Sequence, residues 1–151
     1  MRELHKTLLK QLLALKISLS YNLLIKDLTL FVENQEMIEK RLPVYLSLPI
    51  FHHAVMIEPM LTAVDLRPFI EKYKHPDGRT IIEHVSAGGE SGPDARVCDF
   101  AWVEDVRSQC KENGISFYYH QTGAKLIKDG KLYNIPRKMQ HSQAHKAGLD
   151  T

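Results

Sequence analysis

From Leu28 onward the chain repeats one pattern: a short apolar, β-branched run, then polar or glycine-rich residues, then a stretch of helical character. That alternation marks βα units, in which parallel strands are joined by helices packed on the sheet. Four units can be read. The first has a strand over 28–32, the polar residues Glu33, Asn34 and Gln35, and a helix to about Arg41 that Pro43 interrupts or restarts, because proline lacks an amide donor but suits a first helical turn. The second has a strand over 53–57, closed by Glu58 and Pro59, and a short helix over 65–71. The third has a strand over 81–86, the loop Gly88-Gly89-Glu90-Ser91-Gly92-Pro93, and a helix from an Asp99 cap to a Gly114 stop. The fourth strand, 115–119, runs into His120-Gln121-Thr122-Gly123.

On either side of this region the pattern differs. Leu4, Leu8, Leu12 and Leu15 recur at helical spacing, which predicts an amphipathic helix over 2–16 and an N-terminal segment ending at residue 27. Past residue 123, Asp129-Gly130 between Leu126-Ile127 and Lys131-Leu132-Tyr133 predicts a β-hairpin. A polar tail over 137–146 follows, with Gly148 as a helix stop. The division is therefore 1–27 helix and linker, 28–123 βα region, and 124–151 hairpin and basic tail. Residues 73–80, with His75-Pro76-Asp77-Gly78, read as an exposed loop.

Several function classes lose support. Twenty basic residues against 18 acidic ones give a net charge of +2, too close to balance to imply nucleic acid by itself. Cys98 and Cys110 form neither a disulfide framework nor a Cys-x-x-Cys pair, so a reducing cytoplasm is expected. Three helical turns separate them, about 5.4 Å each, so both read as small buried residues and no metal site is expected. His52 and His53 are adjacent on a strand and point to opposite faces. The leucine-rich N-terminus is broken by charges throughout, which argues against a signal peptide or a membrane span.

In parallel α/β folds, ligands bind beyond the carboxyl ends of the strands, where loops and helix N-termini present polar groups. Here each such end is polar: Glu33 after the first strand, Glu58 after the second, Gly88, Gly89, Glu90 and Ser91 after the third, Gln121 after the fourth. Together they are expected to line one rim and contact a cofactor or substrate. Consecutive glycines allow positive φ and close approach of a phosphate, carboxylate or adenosyl group to bare backbone. The competing expectation is a plain tight turn, with Glu33 and Glu58 capping helices or pairing with basic neighbours. No residue is assigned a catalytic role. Lys125, Lys128, Lys131, Arg137, Lys138 and Lys146, with His120, His141 and His145, form a basic patch that suits a phosphate backbone, with Tyr133 available to stack; the alternative is a solvated face.

Three ordered segments resemble a known family. They are Val32-Glu33-Asn34-Gln35 with Arg41-Leu42-Pro43, then Ile57-Glu58-Pro59-Met60-Leu61 with Val64-Asp65-Leu66, then Gly88-Gly89-Glu90-Ser91-Gly92-Pro93-Asp94-Ala95-Arg96 with Trp102-Val103, Arg107, Cys110 and Gln121-Thr122-Gly123. The likeness continues through Lys128-Asp129-Gly130, Arg137-Lys138, Gln140-His141 and Lys146-Ala147-Gly148. Together they resemble the bacteriophage-associated Gp-thirty-seven/Gp-sixty-eight family, a domain of unknown function, over about Leu30 to Leu149.

The resemblance implies a (β/α)-barrel related to radical S-adenosylmethionine enzymes, whose cysteines hold a [4Fe–4S] centre. The family's cysteine segment is absent here, so S-adenosylmethionine and the cluster are expected only for full-length members. The expected fold is then a partial, half (β/α) TIM-type barrel of about four parallel strands, with an N-terminal helix and a C-terminal β-hairpin plus tail. Half a barrel leaves open strand edges, so self-association or pairing with a missing N-terminal half is expected. The leading functional expectation is a truncated radical-type protein, inactive alone. The alternatives are a nucleotide or nucleic-acid binding module without catalysis, and a non-enzymatic phage interaction protein.

Overall fold

The computed structural model describes residues 17–19 and 27–151, so the helix expected over 2–16 lies outside the described residues. In chain order the elements are β1 (Ile17–Leu19), β2 (Asp27–Val32), α1 (Gln35–Leu46), β3 (His52–Ile57), α2 (Arg67–Lys72) and β4 (Ile82–Gly88). Then come β5 (Cys98–Asp99), α3 (Phe100–Glu112), β6 (Ser116–Gln121), β7 (Lys125–Lys128), β8 (Lys131–Asn134), a 3-10 turn (Arg137–Met139) and α4 (Gln140–Lys146). The result is a mixed α/β structure. Its main sheet has the order β1-β2-β3-β4-β6, with β2, β3, β4 and β6 parallel and β1 antiparallel to β2.

Alternation along the strands fixes which face is covered. Leu30, Val55, Val85 and Phe117 stand in one cross-strand row, and Val32, Ile57, Ala87 and Tyr119 in the next, all buried. Each large apolar side chain so buried contributes about 1.5–3 kcal/mol. The intervening rows, Thr29-Ala54-His84-Ser116 and Phe31-Met56-Ser86-Tyr118, point to the other face. Among the described residues that face is only partly covered: Ser86 is buried, but Ser116 and Tyr118 are exposed and the rest are half-buried.

The first helix departs from expectation. It begins at the Asn34 cap, whose side chain accepts from Met37 N, and runs through Pro43 to Leu46. Proline there forfeits a bond to the carbonyl of Glu39, an exposed residue whose carbonyl water can serve, while Leu42, Tyr45 and Leu46 are buried and hold the last turn. Tyr45 also fastens the sheet: its hydroxyl accepts the N–H of Ala54 at 2.9 Å and donates to the carbonyl of Leu28.

Further along, Asp99 caps α3 as expected, accepting from Ala101 N at 2.9 Å, and Gly114 follows its end with φ +67°. Buried Gln109 ties α3 to the chain entering α2: its Oε1 accepts Leu66 N at 2.7 Å and its Nε2 donates to Val64 O at 2.8 Å. The hairpin turns at Asp129 and Gly130, both at positive φ (52° and 71°), as a type I′ turn requires. β5 pairs with β7 to make a second, three-stranded sheet with β8. The tail is helical, and α4 ends before Gly148 at φ +65°. The chain then returns along β6: Thr151 N donates to Phe117 O at 3.0 Å, Phe117 N to Thr151 Oγ1 at 3.1 Å, and Tyr119 N to Asp150 Oδ1 at 2.9 Å. No helix among the described residues is long and apolar enough to cross a membrane.

Candidate functional site

Backbone pairing continues beyond the strands and sets the rim. Glu58 N donates to Val32 O (3.1 Å), Leu61 N to Glu33 O (2.8 Å), Met60 N to Gly88 O (2.8 Å) and Gly89 N to Gln121 O (3.0 Å). Glu33, Glu58, Gly88 and Gln121 are thereby held side by side at the carboxyl ends of the four parallel strands.

Glu58 is the centre of this end. Its Oε2 accepts His120 Nδ1 at 2.7 Å, and its Oε1 accepts the side-chain amide of Gln121. The Glu58 side chain is 16% exposed and that of His120 35%. Donating Nδ1–H to a carboxylate leaves His120 Nε2 as the nitrogen with a lone pair, and that atom makes no bond among the described residues. His141 packs edge-on against the His120 ring at 4.8 Å and donates its Nδ1–H to the His120 carbonyl at 2.9 Å. A carboxylate-held imidazole of this kind can accept a proton from a bound hydroxyl or amine.

The glycines serve close packing. A Cβ on Gly89 would stand 2.3 Å from Thr122 O, and the corresponding position at Gly88 is occupied by the Glu58 carboxylate. The other two carboxylates are matched by arginines. Glu90 accepts from Arg96 through Nε (2.8 Å), Nη2 (2.7 Å) and the backbone N–H (2.8 Å), which hold its carboxyl at about 2. Arg41 donates through Nη1 to Glu33 at 3.2 Å and to Phe31 O at 3.0 Å. Glu58, Pro59, Gly89, Glu90, Ser91 and Gln121 line one cleft of about 190 Å³. Among the described residues no group of three His, Cys, Asp or Glu side chains is placed to hold a metal ion.

The sequence pattern of one family, described as a protein of unknown function (DUF5131), matches residues 9–150. The chain belongs to the DUF5131 family. No curated protein and no solved structure is significantly similar to it. The DUF5131 match covers nearly the whole chain, so rim, hairpin and tail all lie within the family's domain.

In this DUF5131 chain the expected rim residues sort into two groups. Glu58, Gly89, Glu90, Ser91 and Gln121 share the cleft; Gly88 lies beneath Glu58, and Glu33 stands beside them on Arg41. Of the basic set, Lys125 and Lys128 lie on β7, Lys131 on β8, and Arg137 and Lys138 on the 3-10 turn. None of the five forms an ion pair among the described residues. Lys128 Nζ sits 4.3 Å from the Phe100 ring centroid. From the sequence, His120 is placed only in the basic patch and Arg41 and Arg96 only in the family-like segments, none of them with a rim role. The competing expectation, that Glu33 and Glu58 pair with basic neighbours, describes what is found: Arg41 on α1 bonds Glu33 and His120 bonds Glu58.

Proposed function

We propose that the chain is a ligand-binding domain of a radical-S-adenosylmethionine-like, bacteriophage-associated fold, its four parallel strands corresponding to about half of a (β/α) barrel. It holds the polar end of an S-adenosyl-type ligand at the rim and performs no reductive step through its own residues. The observation that carries this reading is the convergence of three separately expected strand ends, Glu58, the Gly89-Glu90-Ser91 loop and Gln121, on one cleft at the carboxyl end of the sheet.

The donor set suits that ligand. Each Glu58 oxygen has a lone pair left after bonding His120 and Gln121, enough to accept from an ammonium or from ribose hydroxyls. At about 190 Å³ the cleft is smaller than the ~300–1,000 Å³ of a whole-ligand pocket, so it takes the polar end of the ligand and not the whole. S-adenosylmethionine would supply, when bound, an electrophilic sulfonium; Glu58 would hold its polar end, with His120 and Gln121 fixing the Glu58 carboxylate in place.

A [4Fe–4S] cluster does not fit the residues present. Such clusters are held by cysteine thiolates, whereas the chain has only Cys98 and Cys110, both buried, with burial pushing each thiol up to about 12. Calorimetric titration of the full chain with S-adenosylmethionine and S-adenosylhomocysteine tests the reading. Both should bind, and Glu58→Gln should weaken them by about tenfold, the effect of losing one charge-assisted bond. Absence of binding to either compound, or cluster absorbance near roughly 400 nm after anaerobic iron–sulfide reconstitution, would overturn it.

A further inference from the structure

A second cavity, of about 240 Å³, is lined by residues of β6, the hairpin and α4 and shares none with the rim cleft. Its walls combine three features. Tyr133, 41% exposed, supplies an aromatic face, buried Phe100 and Tyr119 complete the apolar lining, Lys128 and Lys146 supply positive charge, and Gln143 supplies an amide. Neither lysine has an acidic partner among the described residues; Lys128 is poised over Phe100 instead. Tyr119 is 1% exposed, yet its hydroxyl has no hydrogen-bond partner, although buried tyrosine hydroxyls are ordinarily satisfied. Around the cavity, residues 124–151 carry six lysines and arginines (Lys125, Lys128, Lys131, Arg137, Lys138, Lys146) against Asp129 and Asp150.

We propose that this cavity binds a nucleoside phosphate. A flat base stacks on the exposed ring of Tyr133, where stacking tolerates any base, and Lys128 and Lys146 meet the phosphate. Gln143 can donate to and accept from a base edge. The site is separate from the rim and does not depend on the S-adenosyl reading. Its ligand can be a free mononucleotide or the end of a single strand; in the second case Lys131, Arg137 and Lys138, exposed beside the cavity, meet the following phosphates.

Titration of the full chain with adenosine 5′-monophosphate, adenosine, inorganic phosphate and a short oligoadenylate, followed by NMR shifts, tests this. The monophosphate should bind about tenfold more tightly than adenosine or phosphate, with shifts at Phe100, Tyr133 and Ile135. Lys128→Gln and Lys146→Gln, both at exposed positions, should each remove most of that preference while leaving the fold unchanged by circular dichroism. Oligoadenylate binding tighter than the monophosphate, with a log-affinity against log-salt slope of about −0.7 per added phosphate, identifies a strand end; equal affinity identifies the free nucleotide. Equal binding of adenosine and its monophosphate, or lysine variants that bind as the parent does, would sink the proposal. Tyr119→Phe adds an independent check: it should lower monophosphate affinity several-fold, whereas a gain in thermal stability with unchanged affinity would count against the site.

Discussion

The carboxylate of Glu58 occupies the space a side chain on Gly88 would need: its Oε2 lies 2.8 Å from where that Cβ would stand. Gly88→Ala therefore pushes Glu58 off its bonds to His120 and Gln121, but the displaced atoms belong to a side chain that can swing. The expected cost is about 1 kcal/mol of stability with loss of rim ligand binding. At Gly89 the obstacle is backbone, Thr122 O at 2.3 Å, so Gly89→Ala should cost about 3 kcal/mol or prevent folding, the upper range for overpacking. Urea denaturation of the two variants should rank them in that order.

Glu90 and Arg96 predict a change of stability in acid. A carboxyl held at about 2 when folded and near its ordinary 4.5 when unfolded stabilises the fold fully above pH 4.5, and that contribution is lost as pH falls through 2. Arg96 is largely exposed, so solvent screening keeps the pair's contribution small. Glu90→Gln should flatten the melting-temperature slope between pH 4.5 and 2. An unchanged slope would mean that the pair is not formed in solution.

His53 acts in a higher window. It is buried edge-on against Tyr45 with Nε2 unpartnered, and burial lowers its pKa below 6.5. Because the unfolded chain takes up the proton first, stability is complete above pH 6.5 and declines as pH falls toward the lowered folded value. His84, also lowered by burial, has the same sign. His53→Phe should reduce the loss of melting temperature on going from pH 7 to pH 5 relative to the parent, measured by calorimetry.

Gln109→Leu removes the acceptor for Leu66 N and the donor to Val64 O while keeping the side chain's bulk. Leaving both backbone groups buried and unmatched should cost about 2–4 kcal/mol in chemical denaturation. A loss under 1 kcal/mol would show that water replaces the amide.

How much was readable beforehand differs by element. The hairpin was legible because Asp129-Gly130 meets a local geometric demand, and the Asp99 cap and Gly114 stop because helix ends have local chemistry. The end of β4 was not: Gly88 reads as loop, whereas the strand runs through it, since the glycine answers a distant residue, Glu58, and not its own turn. Pro43 misled for a similar reason, as buried Leu42, Tyr45 and Leu46 outweigh one missing bond. Rim carboxylates could be named from strand ends, and Arg41 and Arg96 stand only eight and six residues beyond theirs, but the pairing of Glu58 with His120 joins residues 62 apart in the chain, which no local pattern encodes. β1 and the β5–β7 pairing, made of three- and two-residue strands, are set by neighbours and not by propensity.

The return of Asp150 and Thr151 along β6 has a consequence for assembly. A bare strand edge is a template on which another copy can add, and here the outward amides of Phe117 and Tyr119 are already engaged. On that side the main sheet is sealed, so copies cannot lengthen it into a ribbon there, and any partner must come to a face or to the β1 side. Clipping those two residues would unseal it and hand aggregation a starting point.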